Sequence, residues 1–256
     1  MKSMLVTGAS GFVGGVTAAA AAAAGFAVHG TRLSGSGHWE RLDLTRDDAT
    51  LALVTRLAPD VIVHTAARYG DDRVIVQGSA AVAAAASRTG ARLVHVSTDA
   101  VFGGDRAPYD ESASPAPITP YGRAKAAAEE AVTRLCPDAV IVRISLVIGD
   151  GGASPHERLV HDGIPCFEDV LRTPVHVTDL AAALVELAGS GLTGVVHLAG
   201  ADDVSRLELG RLIAARDGLD PASVCSARAA QPYPLDTRLR STRWPALRGA
   251  REFLKP

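Results

Sequence analysis

The chain has 256 residues, 47% of them hydrophobic and 21% charged, with a formal net charge of −2. That length suits one large α/β domain, or a main domain with a small appendage, and the charge offers no overall attraction for nucleic acid or an anionic membrane surface. Cys136, Cys166 and Cys225 are widely spaced, without a CxxC or Cys/His cluster, which fits reduced thiols in a cytoplasmic protein better than a disulfide or zinc framework.

Apolar strand-like runs alternate with helix-favouring ones along the chain, the pattern of a parallel sheet with crossover helices. The runs predict strands near residues 3–7, 27–31, 61–64, 92–97, 139–144 and 195–198, and helices near 12–24, 47–57, 74–89, 121–135, 178–188 and 205–216. The alanine run Ala18–Ala24 follows a glycine loop and precedes a strand, so it reads as a helix and not as a signal-peptide core. The expected fold is α/β, a doubly wound parallel sheet.

The first informative segment is Thr7-Gly8-Ala9-Ser10-Gly11-Phe12-Val13-Gly14, which joins the strand Met4-Leu5-Val6 to the alanine-rich helix. Gly8, Gly11 and Gly14 permit a tight turn, close approach of backbone N–H groups to a pyrophosphate, and close helix-to-strand packing; Ser10, Phe12 and Val13 complete the loop. Without its strand and helix context the pattern reads as a plain turn. The second strand ends Val28-His29-Gly30-Thr31-Arg32, with no acid to accept a ribose 2′-hydroxyl. Arg32, aided by Ser34, suits a 2′-phosphate, so NADPH is favoured over NADH as the alternative.

Further on, Leu93-Val94-His95-Val96-Ser97-Thr98-Asp99 is an apolar strand ending in hydroxyls and an acid, where ligands of an open parallel sheet bind. A strand-end turn closed by side-chain hydrogen bonds explains the same residues. Tyr121 and Lys125 stand four apart, on one face of a helix that Pro120 or Tyr121 begins. Bringing a phenol from pKa ~10 to neutrality costs about 4 kcal/mol. One ammonium at ~4 Å in an effective dielectric of ~20 supplies about as much. A solvated helix face is the bland alternative. The loop-rich stretch from Gly149 to Pro174 follows, and the arginines near the C-terminus alternate with apolar residues as in a tail packed on the body. The eight histidines show no ligand spacing with carboxylates or cysteines, so no metal is expected; His156 and His161 are the one pair to watch, and His176 reads as a core residue.

Taken together, these segments resemble the extended short-chain dehydrogenase/reductase family, and Val-Ser-Thr-Asp-x-Val-Phe-x-Gly at 96–104 is most similar to its dTDP-4-dehydrorhamnose reductase group. The resemblance implies a Rossmann-like doubly wound parallel sheet with a small C-terminal substrate lobe, in which residues 1–148 form the dinucleotide-binding domain with the catalytic residues and 149–256 complete the sheet and build the lobe. It also implies an NAD(P)-dependent oxidoreductase that reduces a keto group on a nucleotide-linked deoxy sugar. Tyr121 would give the proton, Lys125 would lower its pKa and hold the nicotinamide ribose, and Thr98 would orient the ketone. By the same resemblance Asp43 and Leu44 occupy the adenine-contact position, Thr65, Ala66 and Ala67 pass beside the phosphates and ribose, and Ser97 and Asp99 support Thr98 or the sugar hydroxyls. Arg172, in the segment Arg172-Thr173-Pro174-Val175-His176-Val177-Thr178-Asp179-Leu180, would grip a substrate phosphate bidentately, or is a surface arginine beside a strand.

The chain departs from the family in three places. Ala100 stands where the dehydratases have glutamate, which removes elimination chemistry. Ile75 and Ala81 replace the asparagines of the proton relay, and the lobe is short. Reduction of a non-sugar ketone in secondary metabolism, and a non-catalytic NADP-binding regulatory subunit, therefore stay open as alternatives. So does a homodimer through the 74–89 and 121–135 helices, since packing within one chain accounts for the same alanines.

Overall fold

The computed structural model describes all 256 residues. In chain order its principal elements are β1 (Ser3–Thr7), α1 (Phe12–Ala23), β2 (Ala27–Arg32), β3 (Glu40–Arg41), α2 (Asp47–Leu57), β4 (Val61–His64), α3 (Gly78–Thr89), β5 (Arg92–Thr98), α4 (Pro120–Leu135), β6 (Val140–Ile144), α5 (Pro155–His161), α6 (Val177–Gly189), a final sheet strand Gly194–Leu198, and α7 (Arg206–Arg216). Seven strands form one sheet in the spatial order Gly194–Leu198, β6, β5, β4, β1, β2, β3. The pairs β3–β2, β2–β1, β1–β4 and β4–β5 are parallel. The order reverses at β1, leaving the carboxyl ends of β1 and β4 side by side at a topological switch point, where such sheets bind ligands.

Burial of β1 and β4 on both faces explains their unbroken apolar sequences, since a strand covered by helices above and below has no polar side. One core cluster gathers Leu5, Ile62, Val82, Leu93, Val132 and Ile141, all at or below 3% exposure. Alanine serves this packing by its size: Ala83, Ala85 and Ala86 of α3 are buried. At the start of that helix a Cβ on Gly78 would lie 2.9 Å from the Leu44 Cβ, so the backbone itself makes the contact.

The chain divides into two compact units. One comprises Met1–Ser97, Arg123–Val142 and Ala181–Val195; the other comprises Thr98–Gly122, Arg143–Leu180 and Val196–Pro256. The expected parts, 1–148 and 149–256, each follow the chain without a break, whereas each of these units is assembled from three segments. The reason lies in the crossovers, because the chain leaves the sheet after β5 and again after β6, and α6 with the last strand brings it back. The second unit has its own core, built on Ile148, Val160, Cys166, Leu207, Ile213 and Leu254. Its C-terminal arginines are tied down: Arg238 and Arg240 to Asp203, Arg248 to Asp179, and Arg251 to Asp202 and Glu208.

Two expected elements change character. The helix predicted over 74–89 begins as a π-helical turn, Arg73–Gln77, and becomes α-helical at Gly78. The Ser79 hydroxyl donates to the Ile75 carbonyl at 2.6 Å, which satisfies an acceptor that the widened turn displaces. Within the stretch read as loop lies α5, whose Ser154 accepts from the Glu157 amide while Glu157 reaches back to the Ser154 amide, a capping box with Pro155 at the first helical position.

Candidate active site

The glycine loop owes its shape to contacts that leave no room for side chains. Gly8 has φ +77°, and a Cβ there would lie 2.9 Å from the Ala66 Cα. A Cβ on Gly14 would lie 2.2 Å from the Gly8 carbonyl oxygen and 2.7 Å from Thr65 Oγ1. Thr65 in turn donates to the Thr7 carbonyl at 2.8 Å, and the Gly8 amide donates to Thr31 Oγ1 at 3.0 Å. The ends of β1, β2 and β4 are thereby fastened around the turn. The N-cap of α1 is Gly11, which offers no side-chain acceptor. The first amides of α1 are therefore left without the cap that Ser or Asp would give, at the positive end of a twelve-residue helix. A pyrophosphate fits that donor set.

A groove opens beside this loop, and Gly8, Ser10, Gly11, Arg32, Asp43, Leu44, Thr65, Ala66 and Ala67, the residues that sequence assigns to a dinucleotide, all line it. Phe12, Val13 and Gly14 form the first turn of α1. Thr31, Leu33, Leu42, Arg68 and Val74 line the groove as well, and none carries a motif that sequence reading could have used. Arg32 donates from Nε to the Trp39 carbonyl at 2.9 Å and from Nη1 to the Gly35 carbonyl, which bends the 33–39 loop around its guanidinium. Trp39 packs on Gly30, where a Cβ would come within 2.4 Å of the indole. Asp43 accepts from the Thr45 amide and hydroxyl, which hold its carboxyl below the ordinary range.

On the next strands the polar side chains sit deep. The His64 ring meets Thr7 Oγ1 at 2.6 Å and Ser79 Oγ at 3.1 Å, and stacks on His95 at 5.3 Å. Burial and then the Lys125 charge lower His64 to about 3, and the same causes, with His64, hold His95 well below its usual value, so both rings are neutral. Lys125 is 4% exposed and donates to the Val96 carbonyl at 2.7 Å. Burial lowers it to about 8, against the pull of Glu129 one turn further along α4.

Thr98 closes β5 in extended conformation, and its Oγ1 accepts from the Ala100 amide at 3.2 Å while donating to Asp99 Oδ1 at 3.3 Å. That donor bond is long enough to be exchanged for a better acceptor. Gly122 sits directly on this turn, since a Cβ there would fall 2.1 Å from the Ala100 carbonyl oxygen. The first turn of α4, with Tyr121, is thus brought against the backbone that follows Thr98. Lys125 follows Tyr121 one helical turn later on α4.

The three residues expected to hold substrate are placed differently. The Arg172 guanidinium, 6% exposed, donates to the carbonyls of Leu171, Leu235 and Pro234 and lies 3.5 Å from Asp99. With its donors so committed it cannot also take a phosphate in a bidentate grip. Asp99 is 5% exposed and accepts from Ser145 Oγ at 2.8 Å, so it organises the turn under Thr98. Ser97 donates to Glu129 Oε1 at 2.5 Å, both groups buried. These are supports for Thr98 and for the lobe, and their partners lie up to 73 residues away in sequence, as between Asp99 and Arg172.

The family model described as RmlD substrate binding domain matches residues 1–246. The chain belongs to that family. Among similar proteins of the RmlD family is the dTDP-4-dehydrorhamnose reductase of Mycolicibacterium smegmatis, 34% identical over 255 residues, which are 91% of this chain and 76% of that protein. A dTDP-4-keto-6-deoxy-D-glucose reductase of Streptomyces niveus is 35% identical over 212 residues, 76% of this chain and 72% of that one. Among solved structures, a Bacillus anthracis dTDP-4-dehydrorhamnose reductase in complex with NADP superposes with a TM-score of 0.87 at 25% identity, covering 99% of this chain and 98% of that one. The doubly wound fold and the extended reductase resemblance expected from sequence are those of the RmlD family.

Proposed function

We propose that this RmlD-family chain is an NADPH-dependent reductase of a keto group on a nucleotide-linked deoxy sugar. The observation that carries the reading is the joint presence of a glycine cradle ending in an uncapped helix and a tyrosine–lysine pair on the helix seated against the Thr98 turn. Arg32 and Arg68 line the groove with no acid at the end of β2, which supports the phosphorylated dinucleotide over NADH. The dinucleotide, when bound, supplies the hydride. The chain's own residues supply the rest. Thr98 Oγ1 exchanges its long bond to Asp99 for one to the ketone oxygen, and Tyr121 delivers the proton that the resulting alkoxide needs. Lys125 holds positive charge one turn from the phenol, in surroundings dry enough that the charge is felt. No helix is long and apolar enough to cross a membrane.

The test is NADPH consumption with a dTDP-4-keto-6-deoxyhexose, comparing wild type with Tyr121→Phe. General-acid catalysis contributes roughly 10²- to 10⁴-fold, so turnover should fall by that factor while NADPH binding persists. Unchanged turnover in Tyr121→Phe would remove the mechanism. Tight NADPH binding with no turnover of any deoxy-sugar nucleotide would move the reading to a non-sugar ketone.

A further inference from the structure

Beneath the groove lies a row of polar side chains that the proposed chemistry does not use. Thr7, His64 and His95 are paired in register across β1, β4 and β5, two residues beyond Leu5, Ile62 and Leu93 and therefore on the same face of the sheet as that part of the core. All three are at most 1% exposed, and so is Ser79 in the first turn of α3. Polar groups placed so deep are costly unless they are hydrogen-bonded.

His64 meets that condition with both ring nitrogens, and its partners fix the ring proton. The Ser79 hydroxyl donates its hydrogen to the Ile75 carbonyl at 2.6 Å, so at 3.1 Å from His64 Nε2 it can only accept. Nε2 therefore carries the proton of the neutral ring, and Nδ1, 2.6 Å from Thr7 Oγ1, accepts from that hydroxyl. The bonds run one way, from Thr7 through His64 and Ser79 to the Ile75 carbonyl. His95 stacks on the ring at 5.3 Å, which limits how far it can turn. Three members of this chain are sequence neighbours of residues that line the groove: Thr7 of Gly8, His64 of Thr65, and Ile75 of Val74. The glycine loop, the end of β4 and the π-helical turn are thus three walls of one groove, tied from below through a single imidazole.

We propose that His64 is a positioning residue for the dinucleotide: its ring, in the Nε2–H tautomer, holds the π-helical turn at the distance from the glycine loop that the bound cofactor requires. The inference rests on the dinucleotide reading above and deepens it. A wall released from the ring samples positions that do not bind, and apparent affinity falls with the fraction of competent molecules.

The test is fluorescence titration of the full chain with NADPH, with thermal midpoints measured on the same samples. Thr7→Val keeps the shape and removes the donor, whereas Thr7→Ser keeps the donor and removes a methyl group. Thr7→Val should weaken NADPH about 3- to 10-fold, the size of one net hydrogen bond, and Thr7→Ser should bind within about 2-fold of wild type. Ser79→Ala should lose at least as much as Thr7→Val, and the double variant should be no weaker than Ser79→Ala, because either change breaks the same chain. Arg92→Met is the control: Arg92 opens β5, at the opposite end of the strands from the groove, so its loss should lower the midpoint and leave NADPH affinity in place. Nitrogen-15 shifts of the ligand-free chain should show His64 protonated at Nε2 and accepting at Nδ1. A folded Thr7→Val that binds NADPH as wild type does, losses that add in the double variant, an equal loss in Arg92→Met, or a His64 protonated at Nδ1 overturns the inference and leaves the reductase reading standing. A wild type that fails to bind NADPH overturns both.

Discussion

Replacing Lys125 with methionine should stabilise the protein while destroying its activity. The ammonium is 4% exposed, and burial brings it from 10.5 to about 8. Each pKa unit is 1.36 kcal/mol, so keeping the charged form in the fold costs about 3 kcal/mol at neutral pH. Methionine has similar length and removes that cost. It also leaves the Val96 carbonyl without its donor at 2.7 Å, a loss of about 1–2 kcal/mol. The balance is a gain of about 1–2 kcal/mol, or a rise in Tm of about 2–4 °C per kcal/mol.

The pH dependence identifies the cause. Because the folded pKa lies below the unfolded one, the unfolded chain binds more protons between pH 8 and 10.5, and wild-type stability increases as pH rises through that window. The advantage of Lys125→Met should therefore be full below pH 8 and, as the charge cost disappears towards pH 10.5, turn into a deficit of the size of the lost hydrogen bond, about 1–2 kcal/mol. Denaturant unfolding at a series of pH values measures it. A variant less stable than wild type at pH 7, or a difference that stays flat across the window, would refute the argument that burial of the charge dominates. Activity traded against stability in this way is common where a site holds a desolvated charge.

Three other substitutions test the frame. Gly14→Ala puts a methyl 2.2 Å from the Gly8 carbonyl oxygen, so the helix must retreat by about 1 Å, and NADPH affinity by fluorescence titration should drop at least about 10-fold. Arg92 donates to the carbonyls of Leu187 and Leu192 and to Ser190 Oγ, so Arg92→Met should cost about 2–3 kcal/mol in urea unfolding while NADPH binding holds. Tyr109 Oη accepts from the amides of Gly104, Asp105 and Arg106, and Tyr109→Phe should cost about 2–3 kcal/mol and speed hydrogen exchange at those three amides.

The central strands were legible because they carry apolar runs, and β1, β4 and α2 have the bounds that the pattern predicts, whereas the edge strand β3 is the charged pair Glu40–Arg41 and gave no such signal. α5 was hidden by its surroundings. Ser154-Pro155-His156-Glu157 is a helix-start signature, but it stands in a stretch so rich in glycine that the breakers dominated the reading. The π turn at Arg73–Gln77 leaves no mark on a helical period. At the candidate site, the glycine loop, Thr98, Tyr121 and Lys125 could be placed on their strand, turn and helix because the signals that set those elements are local. Arg172 misled because its fate depends on the carbonyls of Pro234 and Leu235, which no local pattern announces.

The uncapped start of α1 has a cellular consequence. A helix whose first turn lacks a side-chain acceptor is completed only when an anion arrives, so the alanine-rich segment behind Gly11 should fray and re-form as dinucleotide comes and goes. Ligand at about 100 times its Kd adds roughly 2.7 kcal/mol to the folded state by mass action. The lifetime of this protein should then follow the size of the NADPH pool: a cell short of reductant would carry a protein more open to proteolysis, even with its catalytic residues intact.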